Sequence, residues 1–302
     1  MVVRFKLLSH PVVAHPVPGR FGLGHSLIAW ARCVTWAHDH HIPCLAPSWR
    51  YLKIGPYLRR ERDKRSYQSL FCFDDYIHGL QRARYLALTT AVPENEAIQP
   101  EWRAHKPSRV VFQNDWKNNT RFFPTLAGRH ELIRDRLLRM SKPTNIPPVP
   151  KERWIGIHIR RGDYALLPKT AERRQLPLEW YLQMLRGIRD RLGFAAPARI
   201  YSDGTADELR PITSEPNVQL SSGHSALYDI LELSYSAMII SSGSGFSMWG
   251  SYLQQVPRVS YPTQRIVRVI AARDIEREPE ADSARAICPG LIEEVRNTLL
   301  HI

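Results

Sequence analysis

Along the second half of the chain, short unbroken apolar runs alternate with stretches of helical spacing. Trp154–Ile159 (WIGIHI) is rich in β-branched residues and predicts a buried strand. From 178 to 192, Leu178, Tyr181, Leu182, Leu185, Ile188 and Leu192 share one helical face, with Pro177 near the start and Gly193 just past the end. Ala198–Ser202 (ARIYS) predicts the next strand, followed by the turn residues Asp203 and Gly204. Leu227, Ile230, Leu231 and Leu233 suit a buried helix over 225–234. A strand at Ala237–Ile240 (AMII), the loop SSGSG, a helix over 246–255 and a strand at Arg258–Tyr261 (RVSY) complete the series. This alternation implies a parallel, doubly wound sheet.

The first half is less regular. A helix over Gly24–Ala37 leaves a glycine-rich turn, a strand follows at Ile42–Ala46, and another helix covers 128–140. Between 50 and 125 the pattern specifies no element. A last helix is expected near Leu291–His301. The run 141–151 (SKPTNIPPVPK) holds four prolines and resists both helix and strand. It divides the chain into 1–150 and 151–302, and at roughly 100–200 residues per domain two domains are the default. The expectation is two α/β lobes with a cleft between them, the last helix packing back on the first lobe.

Composition narrows the function classes. A hydrophobic share of 43% with 24% charged residues excludes a disordered chain. The first 20 residues contain three prolines and no sustained apolar run, so a secretory signal is not expected. Cys33, Cys44, Cys72 and Cys288 show no CxxC spacing and are too sparse for a disulfide scaffold, which suits a reducing cytoplasm. The formal charge is +13, and only eight of 42 basic residues are lysines. Arginine forks suit anionic partners, although an arginine-rich codon usage would read the same way. The arginines are scattered and not interleaved with stacking aromatics, so nucleic acid is not the expected partner.

In doubly wound sheets, ligands bind outside the carboxyl ends of the strands, and three of those ends carry unusual residues. The first is His158-Ile159-Arg160-Arg161-Gly162-Asp163. Period two puts His158 and Arg160 on one side, where they suit a diphosphate; the bland reading is Arg160 or Arg161 paired with Asp163 to tie a loop. The second is Tyr201-Ser202-Asp203-Gly204, either a carboxylate for a ribose or base edge or a capped Asp-Gly turn. The third, Ser241-Ser242-Gly243-Ser244-Gly245-Phe246-Ser247, offers backbone N–H groups and hydroxyls to an anion, or is a plain strand-to-helix loop. It has neither a Walker lysine nor GxGxxG spacing. His38-Asp39-His40-His41 looks like a metal cluster but follows a helix end, where histidine and solvent are ordinary. No metal site is expected. Neither Asp-x-Asp nor GxSxG occurs, which argues against metal-held nucleotide and against a serine hydrolase elbow. The tryptophans, Trp30 and Trp249 among them, sit in apolar runs and read as core.

The stretch IGIHIRRGDY resembles the HxRRGD strand-turn of the fucosyltransferase superfamily, and is most similar to the bacterial α-1,2-fucosyltransferases of glycosyltransferase family 11. Asp229–Gly250 (DILELSYSAMIISSGSGFSMWG) is similar, without a gap, to that family's later motif ending in NSSFSWWG. YSDG at 201–204 and GLGHSL at 22–27 resemble its FSD and GLGNQL elements, in family order. The resemblance implies a GT-B fold of two Rossmann-like domains and no required cofactor, with GDP-fucose as co-substrate held by the C-terminal domain. It implies inverting transfer of fucose to a hydroxyl of an oligosaccharide or lipid-linked glycan. Arg160 would meet the β-phosphate, with His158 and Arg161 supporting the turn and nucleotide. Asp203, Ser242 and Gly24 would border the nucleotide, Asp229 would lie near guanosine, and Ser244, Gly245, Phe246 and Ser247 would line the diphosphate. Asp163 or His25 would take the acceptor proton, or Asp163 would be structural. His25 and Ser26 replace the family's asparagine and glutamine, and GSGFSMWG replaces NSSFSWWG. The alternatives are a transferase using another nucleotide sugar and a non-catalytic nucleotide- or glycan-binding relative. The +13 charge is compatible with peripheral attachment to anionic membrane.

Overall fold

The computed structural model describes residues 8–19, 21–49, 67–114, 123–161, 175–262, 264, 267–270 and 275–300. Gly162 and Asp163 lie outside the described residues. Two compact units divide the described chain, the first reaching Pro143 and the second starting at Thr144, inside the proline-rich run.

The first unit contains β1 (Val12–Val17), α1 (Leu23–Asp39), α2 (Gly79–Leu88), β2 (Thr90–Pro93), α3 (Glu94–Ala97), β3 (Ser108–Gln113) and α4 (His130–Met140). Its three strands are parallel in the order β1-β3-β2. β1 was not expected from its sequence, because Pro16 interrupts it. A proline is tolerated where a strand lies at a sheet edge, and β1 is an edge strand here. The expected strand over 42–46 is reduced to isolated bridges, Ala14 with Cys44 and Leu45 with Ile77. α1 runs two residues past the expected Ala37 and buries Leu27, Trp30, Cys33 and Val34. Trp30 is fully buried and donates to the Tyr76 hydroxyl at 2.8 Å.

The second unit contains β4 (Ile155–Ile159), α5 (Leu178–Leu192), β5 (Ala198–Ser202), α6 (Ala206–Thr213), β6 (Val218–Leu220), α7 (Ala226–Leu233), β7 (Met238–Ser241), α8 (Gly245–Gln254), β8 (Arg258–Ser260) and α9 (Pro289–Leu300). All five strands are parallel in the order β6-β5-β4-β7-β8, the expected doubly wound sheet. β4 is central and buried along its whole length, its three isoleucines in the core and His158 enclosed with them. α5 has the bounds its periodicity predicts, and Gly193 ends it with φ +81°. α6 and β6 were not expected. α9 packs against α5 and puts Leu291, Ile292 and Val295 into the core of this unit, where the sequence reading had it return to the first. Among the described residues no helix is long and apolar enough to cross a membrane.

Close packing of the sheet depends on glycine at two places. Leu233 fits between Gly156 of β4 and Gly250 of α8. A Cβ at Gly156 would lie 2.6 Å from Leu233 Cδ1 and collide with Ser236 Oγ, and one at Gly250 would lie 2.8 Å from Leu233 Cγ. Gly156→Ala is therefore expected to destabilise the protein by about 1–3 kcal/mol through overpacking. The check is a chemical-denaturation curve, and an unchanged midpoint would refute the wedge.

Candidate functional site

The strand order places the reversal of connectivity between β4 and β7, the position at which doubly wound sheets bind ligands outside their carboxyl ends. His158 and Arg160 stand at the end of β4, and Ser241 to Ser247 form the turn from β7 into α8. Register does the rest. Ile159 is opposite Ser202, so Arg160 and Arg161 emerge beside Asp203.

His158 is 4% exposed, and its Nδ1 lies 2.9 Å from Ser242 Oγ and 3.2 Å from Ser244 Oγ. Its ring stacks on Phe246 at 4.8 Å and 11°. Burial, and then the charge of Arg160, lower its pKa from the usual 6.5 to about 3. The ring is thus neutral at ordinary pH and holds the loop from inside. A serine 2.9 Å from a histidine could suggest nucleophilic catalysis. Ser242 is itself buried, and a ring with so low a pKa is a weak base, so the pair is a structural clamp.

The serine hydroxyls point inward, contrary to the expectation that they add donors for a ligand. Ser241 Oγ and Ser247 Oγ share a 2.7 Å hydrogen bond, Ser247 also donates to the Ser244 carbonyl, and Ser244 Oγ caps α8 by accepting from the Phe246 amide. The loop leads into the amino end of a ten-residue helix, a place that favours anions. Gly243 holds φ +66°, and its missing Cβ leaves room for the buried Gln264 amide, whose Oε1 has no hydrogen-bond partner. Nothing in the local sequence marks Gln264.

Asp203 joins the two arginines. Its Oδ1 accepts the Arg161 amide at 2.6 Å, and its Oδ2 lies 3.5 Å from Arg160 Nε. Asp163, the alternative arginine partner offered by the sequence, lies outside the described residues; Asp203, expected at a ribose edge or in a capped turn, is an arginine partner in the structure. The cap of α6 comes instead from Thr205 and Glu208, a reciprocal capping box legible as T-x-x-E. Arg161 is turned back into the protein, toward Glu208 at 3.8 Å and the Leu176 carbonyl. Arg160 keeps about a third of its side chain exposed beside Asp203. Asp229 sits in the first turn of α7, after β6, and accepts from Ser221 at 2.9 Å.

Gly24 and His25 belong to the first unit, in the first turn of α1, whose N-cap is Gly22. The His25 ring stacks on Phe21 at 6.1 Å, and its carbonyl accepts from Asn114 Nδ2 at 2.5 Å. Among the described residues no group of three histidine, cysteine, aspartate or glutamate side chains is placed to hold a metal.

No family model and no curated protein sequence matches the chain. Solved structures do. A variant of FUT1 from Arabidopsis thaliana in complex with GDP matches 93% of this chain and 75% of its own, with a TM-score of 0.51 and 12% identity. The fucosyltransferase NodZ from Bradyrhizobium matches over 85% of this chain and 97% of its own, at TM-score 0.46 and 15% identity. The E. coli heptosyltransferase WaaC with ADP matches over 94% and 98%, at TM-score 0.42 and 11% identity. The likeness to FUT1 is one of fold, and it agrees with the expected GT-B class.

The neutral state of His158 makes stability depend on pH. Unfolded, the histidine takes its proton near pH 6.5; folded, it resists until about 3. Between those values the unfolded state binds more protons, so stability falls as pH falls, by about 1.4 kcal/mol per pH unit for this one group. His158→Gln should flatten that slope between pH 6.5 and 4, measured as urea midpoints. Equal slopes in both proteins would refute the assignment.

Proposed function

We propose that the chain is a metal-independent, inverting glycosyltransferase that moves fucose from GDP-fucose to a hydroxyl of a glycan acceptor. One observation carries the reading: Arg160, held by Asp203, stands partly exposed at the carboxyl end of the central strand, whose His158 is hydrogen-bonded to the turn that starts α8. That pairing of a fixed cation with helix donors suits a diphosphate leaving group. The fold likeness to a protein solved with GDP supports the choice of nucleotide, as does the motif resemblance. The linkage, α-1,2 to galactose, and membership of glycosyltransferase family 11 rest on the motifs alone.

In this reading the second unit holds the donor and the first serves the acceptor. The acceptor oxygen attacks the anomeric carbon from the face opposite the diphosphate. As the new C–O bond forms, the bond to the β-phosphate oxygen breaks and GDP leaves with the electron pair. Arg160 and the α8 amides meet the charge that develops. The acceptor proton passes to Asp163 or to His25. His158, Phe246, Ser242 and Ser244 position the loop without touching the reacting atoms. The sequence contains no Asp-x-Asp, in keeping with a diphosphate neutralised by arginine in place of a divalent cation. A cytoplasmic location, with salt-sensitive attachment to anionic lipid, fits the +13 charge.

Arg160→Ala should lower transfer by roughly 10²–10³-fold, the scale of removing one charge-stabilising group, while the melting temperature stays near that of the wild type. Turnover close to wild type would refute the role. In melting curves with GDP, UDP, CDP and ADP, each with and without EDTA, GDP alone should stabilise the protein, and EDTA should change nothing. Preference for another nucleotide would discard fucose and keep the site.

A further inference from the structure

Asn145 is the second residue of the second unit. Lys142, Pro143 and Thr144 before it are exposed, and so are Pro148 and Val149 after it, yet its own side chain is 9% exposed. A polar group buried within an exposed run needs a partner. One lies 80 positions further along the chain: Asn145 Oδ1 accepts a hydrogen bond from Ser225 Oγ at 2.7 Å.

Ser225 is the N-cap of α7. Its hydroxyl oxygen accepts the Tyr228 amide at 3.2 Å, and its carbonyl accepts the Asp229 amide at 3.0 Å. A hydroxyl has a single proton. Donated to Asn145, that proton fixes the rotation of the Ser225 hydroxyl and keeps a lone pair aimed at the first turn of the helix. The turn held in this way carries an aromatic pair, the exposed His224 stacked on the half-buried Tyr228 at 4.1 Å and 12°. Asp229, the next residue, is held in turn by Ser221. All of this stands at the carboxyl end of β6. Only β5 separates β6 from β4, so the two strand ends are about 10 Å apart. A nucleotide that meets Arg160 with its diphosphate and lies across β5 brings its base to the β6–α7 turn, where a flat ring and a carboxylate suit it.

We propose that Asn145 is a positioning residue for the base end of the donor site, acting through the Ser225 hydroxyl. The inference rests on the donor reading above and extends it to a residue that touches no part of the donor. The full chain is titrated calorimetrically with GDP and with inorganic pyrophosphate, which carries no base. Asn145→Ala should weaken GDP binding about five-fold, the scale of one net hydrogen bond, and leave pyrophosphate binding unchanged. Asn145→Asp, which keeps the acceptor oxygen, should bind GDP as the wild type does. Ser225→Ala should weaken GDP at least as much as Asn145→Ala, and combining the two should cost no more than Ser225→Ala alone, because the pair acts as one unit. GDP binding unchanged in Asn145→Ala overturns the proposal. So do equal losses for GDP and pyrophosphate, which would mark a general loosening of the fold, additive losses in the double variant, or no recovery in Asn145→Asp. A wild type that binds neither GDP nor pyrophosphate strikes the donor reading itself and this inference with it.

Discussion

The second unit is organised around one neutral imidazole. His158 has nowhere to put a charge: it is enclosed by the sheet, the β7–α8 turn and the Phe246 ring, with the Arg160 guanidinium two residues away. Kept uncharged, it can accept or share hydrogen bonds with both serines of the turn, and these bonds decide where α8 begins. The coupling runs both ways. A cation at Arg160 disfavours a cation at His158, and a neutral His158 leaves Arg160 as the cation facing outward beside Asp203. The division of labour between the two residues, one buried and one presented, follows from electrostatics and not from their positions in the strand alone.

The same unit closes its far edge with a different device. Arg258 and Glu278, 1% and 3% exposed, form an ion pair at 2.8 Å, and the Glu278 carboxylate also accepts the amides of Val269 and Ile270. A buried pair gains little net stability after desolvation, but losing one partner strands the other. Its effect is to hold the segment around 267–270 to β8. Leu233 between two glycines acts on the opposite side of β7, where contact depends on the absence of a methyl group and not on charge.

Much of this second unit was legible in the sequence because its signals are local. Pro177 and Gly193 bracket α5, and the short β-branched run of β4 favours a buried strand. The three strand-end motifs were legible as candidates too. What they do was not, since Asp203 becomes the partner of Arg160 and Arg161 only through the parallel register of β4 and β5, which no local pattern encodes. The inward turn of the serine hydroxyls likewise depends on a histidine more than eighty positions upstream. The first unit was less legible. Pro16 hid an edge strand, and β2 has four residues of which Val92 alone is buried. Thr205 and Glu208 marked the start of α6 plainly, and the Pro211 inside it obscured the helix.

The central position of β4 also affects the birth of the protein. β4 is the first strand of its sheet to leave the ribosome, yet Met238, where its second neighbour begins, lies 79 positions after Ile159. At ~5–20 residues per second, the apolar β4 waits roughly 4–16 s with one edge open, covered on the other by β5. An unpaired apolar edge is a template for the wrong partner. A cell making this chain in quantity therefore has reason to shield that edge during translation, and slower decoding between 160 and 238 would raise the demand on chaperones more than the same delay elsewhere.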